Sequence, residues 1–272
     1  MRHFNFGNNW AKYATKIDDS NLNQAIDDLI RLLGTDDLSG KTVIDIGSGS
    51  GLHSAALWSL NPLTLESIDY DLDSVGTTKN LLLSLELPAS ISVRQADILD
   101  KNSFHGKKYD VVYSWGVLHH TGDLALALKN SASLVESGGI LAIALYRKTF
   151  FCKFWKIEKR IYSKSPILIQ NIIFFSYILS FVIAYPIINK GKFLNYAKNY
   201  KVSRGMNFYT DVHDWLGGYP YESISPEELR CRMKALGFQE LSSFTHTSGL
   251  GLFGTGCDEF VFQNLIDSAI EL

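Results

Sequence analysis

Cysteine is scarce in this 272-residue chain: Cys152, Cys231 and Cys257 lie far apart, without a Cys-x-x-Cys pair or companion histidines. That excludes a disulfide scaffold, argues against a zinc site, and sets the expectation of a reducing, cytoplasmic compartment. Proline is also sparse, with 6 residues, and charged residues make up 20% against 46% hydrophobic, which excludes a disordered or collagen-like polymer. The opening MRHFNFGNNWAKYATK has no apolar run of signal-peptide type, so export is not expected. What the chain does have is length enough for one large domain, or a domain carrying an insertion.

A net charge of -2 hides an asymmetry. Arg147 to Arg204 holds 12 Lys and Arg against the single acid Glu158, so the remainder carries 14 basic and 27 acidic residues. Within the basic stretch, Ser165 to Asn189 runs without a formal charge, which is long enough for a bilayer span. Gln170, Asn171, Ser176, Ser180 and two prolines interrupt it, and a span here would split what otherwise reads as one domain. The favoured reading is a helical insertion over 147–203 with its own apolar core. Lining a lipid-like pocket, or peripheral contact of 165–189 with a membrane, are the alternatives.

Elsewhere the pattern alternates. Leu22, Ile26, Leu29, Ile30 and Leu33 recur at helical spacing up to Gly34. KTVIDI, TLESID, SISVRQ, YDVVYS and GILAIALY read as strands, separated by helices from Leu52, Asp73 and Asp123. Ser225-Pro226-Glu227-Glu228 reads as a capping box with proline at the first helical position. FQELSSFTHT and DEFVFQN then form an antiparallel pair at a sheet edge. The expectation is an α/β, Rossmann-like, doubly wound sheet of seven mostly parallel strands, formed by 1–146 and 204–272, with an antiparallel C-terminal strand.

The chemistry begins at VIDIGSGSG, Val43 to Gly51, where a strand enters a glycine-rich turn and a helix, letting backbone N–H groups approach a ligand. Leu52 stands where the dinucleotide fingerprint needs its third glycine, and no Walker lysine is present. Asp69 ends the next strand, placed to accept hydrogen bonds from ribose hydroxyls, and Asp97-Ile98 follows the third. Together DIGSGSG, SIDYD, QADIL and YDVVYSWGVLHH resemble, in order and spacing, the motifs of the class I S-adenosylmethionine-dependent methyltransferases over Lys41 to Leu145. FNFGNNW, SWGVLHHTGD, RGMNFYTDVHDWLGGYPYE and GTGCDEFVF look like a bacterial subgroup of that family.

The resemblance implies S-adenosyl-L-methionine as cofactor. Gly47, Ser48, Gly49 and Gly51 would contact its methionine part, Asp69 its ribose, Tyr70 its adenine face, and Asp97 with Ile98 the adenine edge and face. Ser114 and Trp115 would border the methyl group. His119 or His120 would be a general base, or one of them would pack beneath the sheet edge. Ser114-Trp115-Gly116-Val117 replaces the Asn/Asp-Pro-Pro-aromatic of enzymes that methylate amino groups of bases. An oxygen acceptor on a small molecule, glycan or lipid-like compound is therefore the first reading. A non-catalytic, membrane-associated cofactor-binding scaffold and an RNA methyltransferase are the alternatives, nucleic acid being disfavoured by the acidic remainder.

Two further segments carry candidates. Thr210 to Glu222, TDVHDWLGGYPYE, reads as a binding loop with Asp211 and Asp214 as acceptors and Trp215, Tyr219 and Tyr221 as walls. His213 between two acids has no matching second cluster, so no metal is expected. Phe6, Asn9 and Trp10 form an aromatic N-terminal arm that either closes over the cofactor or docks on the surface.

Overall fold

The computed structural model describes residues 6–15, 17–88, 91–189, 196, 208–246 and 256–265. The contacts divide the chain into two compact units. The larger comprises Asn5–Lys148, Glu222–Ser248 and Gly256–Leu272; the smaller is built around Thr149–Tyr221. The smaller unit takes in Thr149–Tyr221, and so, apart from Glu222, the segment expected as a binding loop.

The larger unit holds a seven-stranded sheet in the order β3-β2-β1-β4-β5-β7-β6. The strands are β1 (Thr42–Ile46), β2 (Thr64–Asp69), β3 (Ser92–Gln95), β4 (Tyr109–Trp115), β5 (Val135–Tyr146), β6 (Phe238–Phe244) and β7 (Cys257–Asn264). β1 to β5 are parallel, whereas β7 runs antiparallel to both β5 and β6. The C-terminal strand is therefore antiparallel as expected and lies one place in from the edge, with β6 outermost. Helices α1 (Phe6–Ala14), α2 (Asp19–Leu33), α3 (Leu52–Ser59), α4 (Leu72–Ser84) and α5 (Leu124–Ser133) alternate with the strands, and a later helix, Pro226–Ala235, precedes β6.

Local chemistry explains these elements. Asp18 and Asn21 form a reciprocal capping box for α2, and Gly34 ends it in the left-handed region. Ser225 accepts the Glu228 N–H at the start of Pro226–Ala235, while the Glu228 carboxylate turns to Arg232 and Lys148. β5 starts four residues before the apolar run read from sequence, and its register against β4 shifts between Tyr109, which pairs with Val135, and Val111, which pairs with Ile140. A Cβ on Gly139 would stand 2.8 Å from the Asp110 carbonyl oxygen. Apolar clusters cover both faces: Ile44, Val112, Leu128, Leu229 and Phe262 belong to one, and Leu29, Val43, Leu57, Val111 and Ala142 to the other.

One buried charge ties three strands together. Glu66 on β2 accepts from Arg94 Nε at 2.5 Å, Lys107 Nζ at 2.9 Å and the Tyr109 hydroxyl at 2.6 Å. Burial alone would raise its carboxyl, but these donors and the Arg94 charge hold it below the ordinary glutamate value of 4.5. Glu66→Ala is expected to cost about 2–3 kcal/mol, the half-exposed Lys107 keeping it below a fully buried pair. Because the carboxyl is lowered in the folded state, the contribution is complete above pH 4.5 and is lost as pH falls. Urea unfolding at pH 7 and pH 3 should show the gap between variant and parent narrowing at the lower pH.

The smaller unit contains α6 (Cys152–Lys164), α7 (Ile167–Asn189) and α8 (Phe208–Gly217). Thr210 to Gly217 is helix rather than loop. Phe208, Val212 and Leu216 recur every four residues and make a buried stripe with Tyr162, which glycines further along the segment do not interrupt.

Candidate cofactor site

The parallel strands change direction of progression between β1 and β4, and the carboxyl ends flanking that switch are where a doubly wound sheet opens a crevice. Four of the motifs read from sequence end there. Gly47 follows β1, Asp69 closes β2, Asp97 lies two residues beyond β3, and Trp115 closes β4.

The glycine turn is stitched to its neighbours by backbone bonds. Gly47 and Ser48 donate to the Ile68 carbonyl at 2.8 and 3.0 Å, and Gly51 donates to the Ser48 carbonyl at 2.8 Å. Gly47 and Gly51 both have φ of 85°, and a Cβ on Gly51 would meet the Thr78 Cα at 2.9 Å. Side chains are disfavoured there both by backbone conformation and by the approach of α4. Ser48 is buried and its hydroxyl pairs with Thr78 at 2.9 Å, so it braces the turn rather than presenting its side chain.

Asp69 takes the Gly49 N–H on Oδ2 and the Asp71 N–H on Oδ1, each at 2.9 Å. Burial raises its carboxyl above the usual aspartate range, against the pull of those amides. A carboxylate has about four acceptor sites, more than these two amides fill. Tyr70 beside it is 57% exposed at the same strand end. Asp97 is partly exposed and binds the Leu99 N–H at 2.8 Å. Beneath the turn, Asp45 is buried and accepts from Ser54 at 2.6 Å; burial pushes its carboxyl up to about 7.

Several expected contacts come out differently. Ile98 is 5% exposed and packs in the core, so its side chain offers adenine almost no surface. Ser114 is fully buried and donates to the Ile46 carbonyl at 3.1 Å, binding β4 to β1. Trp115 is exposed at its ring but donates from Nε1 to Glu259 on β7 at 2.8 Å, and stands edge-on to His53.

The two histidines divide. His119 is wholly buried, its Nδ1 accepts the Tyr146 N–H at 3.3 Å, and its ring centroid is 3.9 Å from Tyr146. With Nδ1 accepting a backbone N–H, the neutral ring carries its proton on Nε2, so neither nitrogen takes one from a substrate and His119 packs under the β5 end instead of acting as the expected base. His120, partly exposed, leans against both rings.

Sequence reading missed Glu222 as a brace. Its carboxylate accepts the Leu124 N–H at the start of α5 at 2.8 Å, and its own N–H donates to the His119 carbonyl at 3.0 Å. Only tertiary pairing over about a hundred residues could have revealed it. The N-terminal arm contributes Trp10, whose indole lies 3.2 Å from where a Cβ of Gly49 would sit. The side chains of Phe6 and Asn9 lie outside the described residues.

The proposed substrate residues belong to the smaller unit. Asp211, Asp214 and Trp215 are on α8, and Tyr219 follows it. Trp215 packs edge-on against Trp155 at 5.5 Å, and its carbonyl accepts a bond from the buried Lys159, whose ammonium lies 3.5 Å from the centre of the indole. Tyr162 and His213 are joined by a 2.6 Å bond. No cluster of three metal-ligating side chains occurs among the described residues.

This donor set suits S-adenosylmethionine: a glycine turn with no side chains of its own, a strand-end acid that accepts hydrogen bonds, an exposed tyrosine beside it, and a second acid one strand further out. Known proteins agree. Ubiquinone biosynthesis O-methyltransferase of Coxiella burnetii is 27% identical over 113 residues, which is 42% of this chain and 47% of that protein. The chain thus aligns with about half the length of the curated relatives it matches. Two structures of magnesium protoporphyrin IX methyltransferase from Synechocystis, with bound SAH and bound SAM, each superpose with a TM-score of 0.52. They are 15% and 12% identical, covering 90% of this chain and 84% and 80% of theirs, so they speak to the fold. A methyltransferase-domain family model matches residues 19–242. With that match spanning most of the chain, the protein belongs to the methyltransferase-domain family.

Proposed function

We propose that the chain transfers a methyl group from S-adenosylmethionine to an oxygen of a small molecule, glycan or lipid-like acceptor. The observation that carries the reading is Asp69, held by the Gly49 and Asp71 amides at the mouth of the glycine turn. Its carboxylate would accept from the ribose hydroxyls. Tyr70 would stack on the adenine, Asp97 would accept from the exocyclic amine, and Gly47, Gly49 and Gly51 would leave room for the methionine end. Trp10 would cover the turn from the N-terminal side.

The cofactor supplies an electrophilic methyl on a positively charged sulfur with a good leaving group, so the protein mainly orients the reactants. An oxygen nucleophile must also lose a proton. His120 would take it, since His119 is committed to the Tyr146 amide. Support for oxygen comes from the Ser114-Trp115-Gly116 sequence at the end of β4, and from relatives named as O-methyltransferases. The roles of Asp211, Asp214, Trp215 and Tyr219 in acceptor recognition belong to the same proposal.

Assay of labelled methyl transfer to a panel of hydroxylated and amino acceptors tests the reaction. His120→Ala is expected to lower turnover by about 10²–10⁴-fold on a hydroxyl acceptor. His119→Ala should instead lower thermal stability while cofactor affinity persists. Full turnover in His120→Ala would remove the base from the scheme, and methyl transfer to amino acceptors alone would remove the oxygen.

A further inference from the structure

Apolar side chains on the surface are concentrated in one stretch. Of the 22 large hydrophobic residues exposed among the described residues, 12 fall between Phe150 and Ile183, on α6, α7 and the turns beside them. On α7 two apolar faces coexist. Ile173, Phe174, Tyr177, Ile178, Phe181 and Tyr185 pack on the core made by Tyr162, Phe208, Val212 and Leu216. The other face carries Leu168, Ile172, Phe175, Leu179 and Ile183, exposed by 55–68% and spaced by three or four residues. A stripe of that length is far more than scattered surface hydrophobics.

α6 supplies the matching charge. Its exposed side presents Phe154, Ile157 and Ile161 at helical spacing, with Lys153, Lys156, Arg160 and Lys164 interleaved, all exposed. The acid on this helix, Glu158, is largely withdrawn from the surface, and burial pushes its carboxyl up to about 7. α7 carries no charge between Ile167 and Tyr185. Two consecutive helices thus expose apolar residues together with cations and without a balancing anion.

We propose that the exposed faces of α6 and α7 form a peripheral docking surface for a bilayer rich in anionic phospholipid, with the apolar stripes seated among the acyl chains and the Lys and Arg at the phosphates. Charge complementarity selects this occupant over a neutral apolar partner: four cations flank the apolar residues along the helix. α7 is long and apolar enough by composition to cross a membrane. Spanning would pull Phe174, Tyr177 and Phe181 from the core they build with α8. It would also leave the cations of α6 running along an interface rather than clustered at helix ends. An in-plane arrangement satisfies both helices. This inference does not depend on the methyl acceptor, because binding to lipid is read without turnover.

The test is flotation of the purified chain with vesicles of phosphatidylcholine alone and with about 30% phosphatidylglycerol, whose anionic headgroups give the surface a negative potential. The expected result is recovery with the anionic vesicles at least tenfold above neutral ones, falling steeply with added salt. Lys153→Gln/Lys156→Gln/Arg160→Gln/Lys164→Gln should abolish the anionic preference, and Ile172→Gln/Phe175→Gln/Leu179→Gln should reduce recovery by tenfold or more. Both variants alter exposed side chains, so unchanged circular dichroism and S-adenosylmethionine affinity will show that the fold survives. Equal recovery with both vesicle types, or insensitivity to both variants, overturns the proposal. Resistance to alkaline carbonate extraction overturns it in favour of a span. A dimer by light scattering that dissociates in the apolar variant, without vesicle binding, assigns the face to a second copy instead.

Discussion

Asp69→Ala is expected to lower S-adenosylmethionine affinity by about 10²–10⁴-fold, the loss of two hydrogen bonds to a charged acceptor at roughly 1.5–3 kcal/mol each. Calorimetric titration with S-adenosylmethionine and with S-adenosylhomocysteine checks it. The parent protein should bind both at about micromolar Kd, near −8 kcal/mol. Both cofactor forms carry the same ribose, so the variant should lose them in parallel. The substitution also removes the acceptor for the Gly49 and Asp71 amides. Asp69→Asn separates the two effects: its amide oxygen still accepts one backbone N–H, so stability should be largely restored while affinity stays well below the parent. An unchanged Kd in Asp69→Ala would mean that the cofactor does not lie at the end of β2.

Gly51→Val is expected to be the most damaging substitution of one residue in the turn. At φ of 85° a β-branched residue pays about 1–2 kcal/mol for the left-handed region, and a Cβ placed 2.9 Å from the Thr78 Cα forces α3 and α4 apart. Overpacking of that kind adds about 1–3 kcal/mol. A loss of about 3 kcal/mol corresponds to a fall in Tm of about 6–12 °C for a domain of this size, with cofactor binding below detection. Gly76 is the internal contrast. It lies within α4, and a Cβ there meets nothing within 4 Å. Gly76→Ala should therefore raise stability by about 0.5–1 kcal/mol and leave binding unchanged. Differential scanning calorimetry with and without S-adenosylmethionine reads all of these. A tolerated Gly51→Val would show that the turn relaxes away from α4.

The cofactor side of this protein was legible because its parts are local. A strand, a glycine turn and a helix within Val43 to Ser59 leave a signature in consecutive residues, and each strand-end acid sits a fixed short distance after an apolar run. The family match over 19–242 and the sheet order agree with that reading. Helix α2 was equally readable, since its apolar stripe and its terminal glycine are contiguous. The segment around α8 misled for a physical reason. Its glycines and aromatics suggested a loop, but Phe208, Val212 and Leu216 recur at helical spacing and find a partner in Tyr162, whose place could not be read from Thr210 to Glu222 alone.

The histidines show the same division. Two adjacent histidines after β4 are identical as symbols, and only packing distinguishes them: His119 is turned inward, where Tyr146 donates to it, while His120 remains partly exposed. Ser114, Ile98 and Glu222 were likewise decided by long-range neighbours, namely Ile46 across the sheet, the core beneath β3, and the start of α5 nearly a hundred residues earlier.

By itself the sequence determined the alternation of strands and helices, the glycine turn, the acids at the strand ends and the basic, apolar character of the insertion. These depend on periodicity, backbone freedom and composition, which are properties of neighbouring residues. The tertiary structure decided which candidate side chains are spent on holding the sheet together, where the insertion unit ends, and which face of α7 is packed and which is bare. Those depend on burial and on partners distant in the chain, and a helix that is apolar all round cannot announce from its own residues which side another element will cover.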